Sequence, residues 1–500
     1  MISSYFRICG LLSLWIISTS CNETIPSSSV GLFTPTSPLV TFRVSFHTGS
    51  IDDPKDKSGL NALTALTVAR GGTSTLTYQE LTETLYPWAA SIDVRFDKEL
   101  TTIIGQVHRD HLEPFYEILL DLVVEPRFDQ QDFERNKDFL LNSISSTLKG
   151  NDDESLGKQA LNGFLYENHP YGTTEMGSVT GLNAITVEDV KTFHKARYTR
   201  NNLLIGLAGG YPETFLERAE KHLLNSLPQG NSKRPPLPQP RKLDSVEVIL
   251  VQKPSIATAI SIGYPIDVTR RDEDFYPLLI ANSYLGENRT FNGRLMNNMR
   301  GLRGLNYGDY SYIENFIQDG ISRFPVPNIP RTQQFFSIWI RPVPHRNAHF
   351  ALRQALRELQ MLVDDGLSKK DFETTRNFLI NYTKLLIQTS SRRLGYAMDS
   401  RFYGTSFFVD KVTAALRTLK VDDVNTAIKK HLQYKNIAVA IVTPHAELLK
   451  AALLSNKLSP ITYSTEVNQE IIDEDKDIST FYLTINPNRI RVVPIKEMFR

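Results

Sequence analysis

The sequence predicts an α+β fold in two similar halves, each with an antiparallel sheet that carries helices on one face. Residues 132–134 (Asp-Phe-Glu) return at 371–373, and residues 187–190 (Val-Glu-Asp-Val) return with one change at 421–424. The offsets are 371 − 132 = 239 and 421 − 187 = 234 residues, and nearly equal offsets indicate a duplicated domain. Few segments follow the strand, helix, strand order with glycine-rich turns that a doubly wound parallel sheet requires.

Hydrophobic periodicity predicts the individual elements. Residues 40–46 alternate Val or Phe with Thr, Arg and Ser, and residues 337–340 show a similar alternation. Both segments are therefore predicted to be half-buried antiparallel strands. Residues 114–124 and 348–365 have apolar side chains at helical spacing and are predicted to be helices.

The C-terminal tail is predicted to end in a β-hairpin. Residues 481–485 and 489–495 alternate apolar and polar side chains around Asn486-Pro487-Asn488, and this turn composition between two alternating runs favours a hairpin. We expect the hairpin to occupy a vacant edge of one sheet, because an unpaired sheet edge is otherwise open to other chains.

Composition and the repeat together divide the chain into six regions. A linker between the halves is indicated by five prolines among polar residues. The predicted regions are a signal peptide (1–21), a flexible tether (22–38), a first domain (39–227), a Pro-rich linker (228–242), a second domain (243–455) and a tail with the β-hairpin (456–500).

The N-terminus has the layout of a secretory signal. Arg7 precedes an apolar stretch from Ile8 to Ile17, which is too short for a membrane-spanning helix. The small residues 18–20 before Cys21 resemble a bacterial lipobox, in which Cys21 would be lipidated, although Ser18 stands where that pattern usually has Leu. The pattern favours a lipid-anchored protein of the bacterial periplasm or cell envelope over a secreted or cytoplasmic one.

Charge and cysteine content exclude several functions. Lys and Arg number 56 against 55 Asp and Glu, a net charge of +1, so a nucleic acid partner is not expected and a membrane is reached only through the lipid anchor. The two cysteines, Cys9 and Cys21, both lie at the N-terminus. The folded body therefore has neither a disulfide nor a thiolate metal site.

An ordered set of short motifs over residues 38–455 resembles the M16 (pitrilysin-like) peptidases. That family pairs two α/β-roll domains in a half-shell, and two half-shells enclose a chamber for peptides. The motifs are Gly49-Ser50, Asp53-Pro54, Gly59-Leu60, Gly72-Thr73, Glu125-Pro126, His169 to Gly172, Gly181-Leu182, Phe193-His194, Leu285-Gly286, Gly293 to Leu295 and Arg300 to Tyr307.

The resemblance also shows what this chain lacks. Active members carry His-x-x-Glu-His on the helix after the Gly-Leu pair, where two His hold zinc and the Glu acts as the base. Here Ala62 and Leu66 stand at the two His positions, Ala65 at the position of the base, and Ser143 near the third ligand. The resemblance therefore implies a degenerate site that binds no metal or other cofactor.

A second feature of active members is retained in the second half. An Arg and a Tyr seven residues apart grip the substrate carbonyl in that family, and Arg300 and Tyr307 have this spacing. Guanidinium and phenol groups both donate hydrogen bonds to an oxyanion. Arg303 is the alternative if the register is shifted, and an exposed basic loop with a packing tyrosine is the structural alternative.

Three functions are compatible with these residues. The leading hypothesis is a non-catalytic subunit that binds peptide or unfolded polypeptide and pairs with a zinc-bearing M16 partner in a heterodimer. The first alternative is a stand-alone peptide-binding or assembly lipoprotein. The second is an active zinc peptidase with displaced ligands, for which His108, His111 and Glu113 are the candidate group.

Overall fold

The computed structural model describes residues 28–230, 234–290, 292–318, 320, 322–463 and 466–500. The predicted signal peptide and Cys21 lie outside these residues. Within them the chain forms two open sheets flanked by helices. The predicted α+β class is confirmed. No helix in the described ranges is long and apolar enough to cross a membrane.

The first sheet has five strands in the order β1-β5-β2-β4-β3. The edge strand β1 runs parallel to β5, and the other neighbours are antiparallel. The strands are β1 (Ser29–Phe33), β2 (Leu39–Phe46), β3 (Ser91–Phe96), β4 (Thr101–His108) and β5 (Leu203–Gly209).

The second sheet has six strands in the order β11-β6-β10-β7-β9-β8. From β6 onward this order repeats that of the first sheet, with β6 parallel to β10 as β1 is to β5. The strands are β6 (Val246–Gln252), β7 (Thr258–Ile266), β8 (Asp309–Tyr312), β9 (Gln334–Val343), β10 (Ala438–Thr443) and β11 (Ile485–Pro494).

The helices follow the same duplicated plan. Those of the described chain are α1 (Leu60–Ala69), α2 (Tyr78–Leu85), α3 (Leu112–Val124), α4 (Gln130–Asn142), α5 (Asp153–Leu165), α6 (Val179–Ala184), α7 (Val187–Arg197), α8 (Phe215–Ser226), α9 (Phe275–Gly286), α10 (Ala348–Asp365), α11 (Lys369–Leu385), α12 (Ser390–Tyr403), α13 (Phe408–Thr418), α14 (Val421–His431), α15 (Ala446–Leu454) and α16 (Gln469–Thr480). Wider π-helical turns span Ser143–Asn151 and Met296–Gly301.

The repeated sequence marks are helix starts. Residues 132–134 and 371–373 lie in the first turns of α4 and α11, and residues 187–190 and 421–424 begin α7 and α14. In each of the last two helices an Asp at the third position accepts from the backbone N–H of the capping residue. This local capping satisfies backbone N–H groups that have no partner inside the helix.

Each sheet has one face covered by its own half and the other by a helix of the opposite half. Helix α12 packs on β5 and β1 through Leu394 and Met398, and α5 packs on the second sheet through Leu156 and Leu161. The strand β2 is consequently buried on both faces. Its prediction as half-buried was wrong, because its polar face is covered by a helix more than 300 residues away in sequence.

Two predictions for the chain ends are corrected. Residues 29–33 of the predicted tether form β1, so that edge of the first sheet is not vacant. The tail forms one strand, β11, parallel to β6, with an irregularity between Ile485 and Ile490 where the hairpin turn was predicted. The hairpin does not form because the preceding segment is tied to the end of α15 by the Asn456 side chain, which bonds the backbone N–H and carbonyl of Leu483. The tail does lie at a sheet edge, as expected.

Candidate functional site

Helix α1 begins under the control of a buried carboxylate. Both Asp53 oxygens accept backbone N–H groups, from Gly59 and Asn61, each at 2.7 Å. Burial raises the pKa of Asp53 to about 7, although these hydrogen bonds oppose the shift. All ten residues of α1 are buried, so this helix is a structural part of the core.

The predicted zinc positions lie inside that core. Ala62, Ala65 and Leu66 are at most 2% exposed, and Ala62 and Leu66 belong to one apolar cluster with residues of α4 such as Leu140. The Ser143 hydroxyl donates to the carbonyl of Phe139 at 2.7 Å.

Zinc requires thiolate, imidazole or carboxylate ligands. The side chains at these four positions do not provide them. The residues present therefore do not fit the zinc ion that the resemblance places there in active members.

The alternative metal group is not assembled either. The imidazole of His108 lies beside Asp110, and His111 stacks on Trp88 with ring centroids 5.2 Å apart. Glu113 accepts from Arg218 at 2.6 Å. Within the described ranges no group of three or more His, Cys, Asp or Glu residues has a geometry that could hold a metal ion.

The Arg300 and Tyr307 pair lies on a turn between the π-helical segment at Met296–Gly301 and β8. Tyr307 is 78% exposed, and the Arg300 guanidinium carbon is 6.0 Å from the centre of its ring. Asn306 holds the turn by donating to Asp309 at 2.7 Å and to the carbonyl of Arg341 at 2.9 Å. The structure thus brings the two predicted residues together, at the surface and away from the hydrophobic core.

Arg303 has a different environment. Its side chain is fully buried, and it donates to Asp475 and Glu474 of α16, each at 2.7 Å. A third bond reaches the carbonyl of Asn298 at 2.9 Å. The alternative assignment of Arg303 as the gripping residue is wrong, because its donors are already held by these partners.

Two family models match most of the chain. Residues 32–177 match the model described as insulinase (peptidase family M16), and residues 184–379 match the peptidase M16 inactive domain. The chain belongs to peptidase family M16. The order of the two matches agrees with the order of the two sheets.

Known relatives of this M16 protein include proteins named as peptidases and as non-peptidases. An uncharacterized zinc protease of Mycobacterium bovis is 24% identical over 353 residues, covering 70% of this chain and 75% of the relative. A non-peptidase homolog of Helicobacter pylori is 22% identical over 408 residues, covering 81% and 89% respectively.

Solved structures show the same fold. A peptidase M16 inactive domain from Pseudomonas fluorescens superposes with a TM-score of 0.73 at 20% identity, covering 83% of this chain and 95% of that one. A chain of complex III2 from Candida albicans superposes with a TM-score of 0.65 at 13% identity, covering 84% and 94%. With the apolar zinc positions, these likenesses make the chain an M16-like protein similar to inactive peptidase homologues.

The boundary between the halves of this M16 protein holds a charge network that the sequence did not reveal. Arg331 donates to Asp97 at 2.6 and 2.8 Å and to Glu175 at 2.9 Å, and Lys98 lies 3.2 Å from Glu175. Burial tends to raise the pKa of Glu175, but Lys98 and Arg331 together outweigh it and lower that pKa to about 2. Two acidic and two basic residues scattered over the chain leave no spacing signal.

Proposed function

We propose that this protein is a non-catalytic M16 subunit of the bacterial cell envelope that supplies a carbonyl grip to a zinc-bearing M16 partner. The observation that carries the proposal is the pairing of Arg300 with Tyr307 on an exposed turn, in a chain whose zinc positions are apolar. A guanidinium and a phenol can both donate to the carbonyl oxygen of a bound peptide. A division of labour between two chains explains why one half of the machinery is kept and the other is lost.

The surroundings of the turn support a functional over a structural role. Tyr307 is 78% exposed and packs into no core cluster of the described chain. The neighbouring Arg303 anchors the turn to α16, so the anchoring does not depend on Arg300. Members of the M16 family occur in heteromeric assemblies, as the complex III2 chain illustrates.

The test is kinetic and uses the native complex. The protein is purified from its own envelope with whatever M16 chain accompanies it, and peptide hydrolysis is measured for Arg300→Ala and Tyr307→Phe. Loss of one oxyanion donor typically lowers turnover by about 10² to 10³, so we expect that loss mainly in kcat, with the complex still assembled. Arg489→Ala and Tyr482→Phe, which change exposed residues of the tail, are the matched controls.

Two results would contradict the proposal. Unchanged hydrolysis in both variants would remove the role of Arg300 and Tyr307. Absence of any zinc-bearing partner, with weaker peptide binding by the variants, would favour the stand-alone peptide-binding lipoprotein.

Localisation is a separate part of the proposal. The lipobox-like segment before Cys21 supports a lipid anchor on that residue. Labelling with a fatty acid analogue should mark the wild-type chain and not Cys21→Ser. Equal labelling of both chains, or of neither, would exclude this anchor.

A further inference from the structure

A cavity of about 200 Å³ lies at the boundary between the two halves. We call it the junction cavity. One wall comes from α5 of the first half, and the opposite wall from β9 and the segment after β8 in the second half. It reaches the surface beside Ile317, which is 39% exposed. The residues used below are Lys158, Gln159, Asn162, Asn315, Phe316 and Trp339.

Four side chains that line the junction cavity have a buried polar atom without a hydrogen-bond partner in the described structure. Two are acceptors on successive turns of α5, Gln159 Oε1 and Asn162 Oδ1. Two are donors from the second half, Asn315 Nδ2 and Trp339 Nε1. Buried polar atoms are nearly always paired in proteins, so four such atoms around one cavity indicate that something polar fills it.

The orientation of the two acceptors is fixed by their own amide nitrogens. Gln159 Nε2 donates to Glu175 at 3.0 Å, and Asn162 Nδ2 donates to the carbonyl of Tyr171 at 2.7 Å. Each amide therefore uses its donor within the protein and leaves its oxygen for another group. Asn162 and Trp339 are only 6% and 4% exposed, which makes the unmet pairing costly at those positions.

The charged groups at the cavity are already compensated. Lys158 pairs with Glu154 at 2.7 Å and lies 3.6 Å above the Trp339 ring. Glu175 pairs with Arg331 at 2.9 Å and Lys98 at 3.2 Å. The unmet capacity is therefore neutral, and it consists of two carbonyl acceptors and two N–H donors.

A primary amide matches that capacity, because it offers both N–H donors and a carbonyl acceptor in one plane. The aromatic rings of Phe316 and Trp339 provide apolar walls for such a planar group. About 200 Å³ exceeds the space of a single water, about 30 Å³, yet is below the roughly 300 to 1,000 Å³ of pockets for drug-sized ligands. We propose that the junction cavity binds a primary amide of a small ligand, namely the side-chain amide of a short peptide.

The proposal is tested with two matched dipeptides, alanyl-glutamine and alanyl-glutamate, in ligand-observed NMR titrations of the purified chain. We expect saturable binding of alanyl-glutamine, and binding of alanyl-glutamate weaker by about 10-fold or more. A carboxylate has no N–H for the Gln159 and Asn162 oxygens, and a site with unpaired polar groups rejects such an analogue.

Two substitutions locate the binding. Gln159→Met keeps the volume and removes one acceptor, and Trp339→Phe keeps an aromatic ring and removes one donor. Each should weaken alanyl-glutamine by about 3- to 10-fold, the effect of one neutral hydrogen bond. Gln79→Met on the exposed face of α2 is the control and should change nothing. Thermal melting checks that each variant is folded.

Three outcomes would overturn the proposal. They are no saturable binding, which means that the cavity holds only water, equal binding of the two dipeptides, and binding that neither cavity variant weakens. The assay needs no partner and does not involve Arg300 or Tyr307. Its failure is therefore separate from failure of the proposed function.

Discussion

Arg331 and Asp97 form a two-point ion pair across the boundary between the halves. The residues are 234 positions apart, and Arg331 Nε and Nη2 reach the two carboxylate oxygens of Asp97 at 2.8 and 2.6 Å. Both side chains are at most 3% exposed. This pair fixes how the first sheet is placed against the segment that leads into β9.

Removing one partner of this pair should destabilise the protein strongly. Arg331→Met leaves the Asp97 carboxylate buried and unpaired, which typically costs about 3 to 5 kcal/mol. Urea unfolding measures the loss, and the double variant Asp97→Asn with Arg331→Met should recover part of it. The control is Arg491→Met, since Arg491 pairs with Glu167 across an exposed surface and such pairs contribute about 0 to 1 kcal/mol. Equal losses for Arg331 and Arg491 would contradict the assigned role.

The two neighbouring arginines of the proposed grip should differ in stability. Arg303→Met removes a buried side chain that holds Asp475 and Glu474, so we expect a loss of several kcal/mol. Arg300→Ala and Tyr307→Phe change groups on the surface turn, and surface changes usually stay within about 0.5 kcal/mol. Thermal unfolding of the three variants distinguishes them. A large loss for Tyr307→Phe would indicate a packing role instead.

The tail strand offers an adjacent matched pair. Leu483 is 2% exposed and belongs to the main core cluster of the second half, whereas Tyr482 is 68% exposed. Leu483→Ala should cost about 2 to 5 kcal/mol through cavity formation, and Tyr482→Ala should cost less than about 0.5 kcal/mol. Deletion of residues 476–500 should lower thermal stability and solubility. An unchanged melting temperature for Leu483→Ala would show that the tail is not integrated in solution.

Purified protein should contain far less than one zinc ion per chain. Elemental analysis measures the metal, and a chelator should leave any residual peptide cleavage unchanged. Introducing His at 62 and 66 with Glu at 65 and 143 should destabilise the chain, because Ala62 and Ala65 are fully buried and overpacking a core costs about 1 to 3 kcal/mol. One zinc per wild-type chain with chelator-sensitive proteolysis would refute this prediction.

Acid should weaken the fold through buried histidines. Burial lowers the pKa of His194 and His349 from 6.5 to about 4. Between these values the unfolded chain binds more protons than the folded one, so stability falls as the pH falls from 6.5 to 4. Each group contributes about 1.4 kcal/mol per pH unit in that window. His194→Gln should therefore flatten the pH dependence of urea unfolding there, and an unaltered slope would exclude His194 as a source.

The duplication was predictable because it is written in local signals. The repeated Asp residues in α4, α7, α11 and α14 stand in first helical turns, where side chains accept neighbouring backbone N–H groups. Such interactions span three or four residues and are therefore visible as short sequence motifs. The hairpin prediction for residues 481–495 failed for the opposite reason, since the partner of this strand is β6, more than 200 residues earlier.

By itself the sequence determined the α+β class, the two similar halves and the loss of zinc ligands at Ala62, Ala65 and Leu66. These properties depend on residue type and short spacing. Only the tertiary structure decided that Tyr307 is exposed while Arg303 is buried, that β11 runs parallel to β6, and that α5 and α12 exchange between the halves. It also placed the Gln159 and Trp339 side chains around one cavity. Contacts between residues more than 100 positions apart depend on how whole sheets and helices pack, and packing of that range leaves no periodicity in the chain.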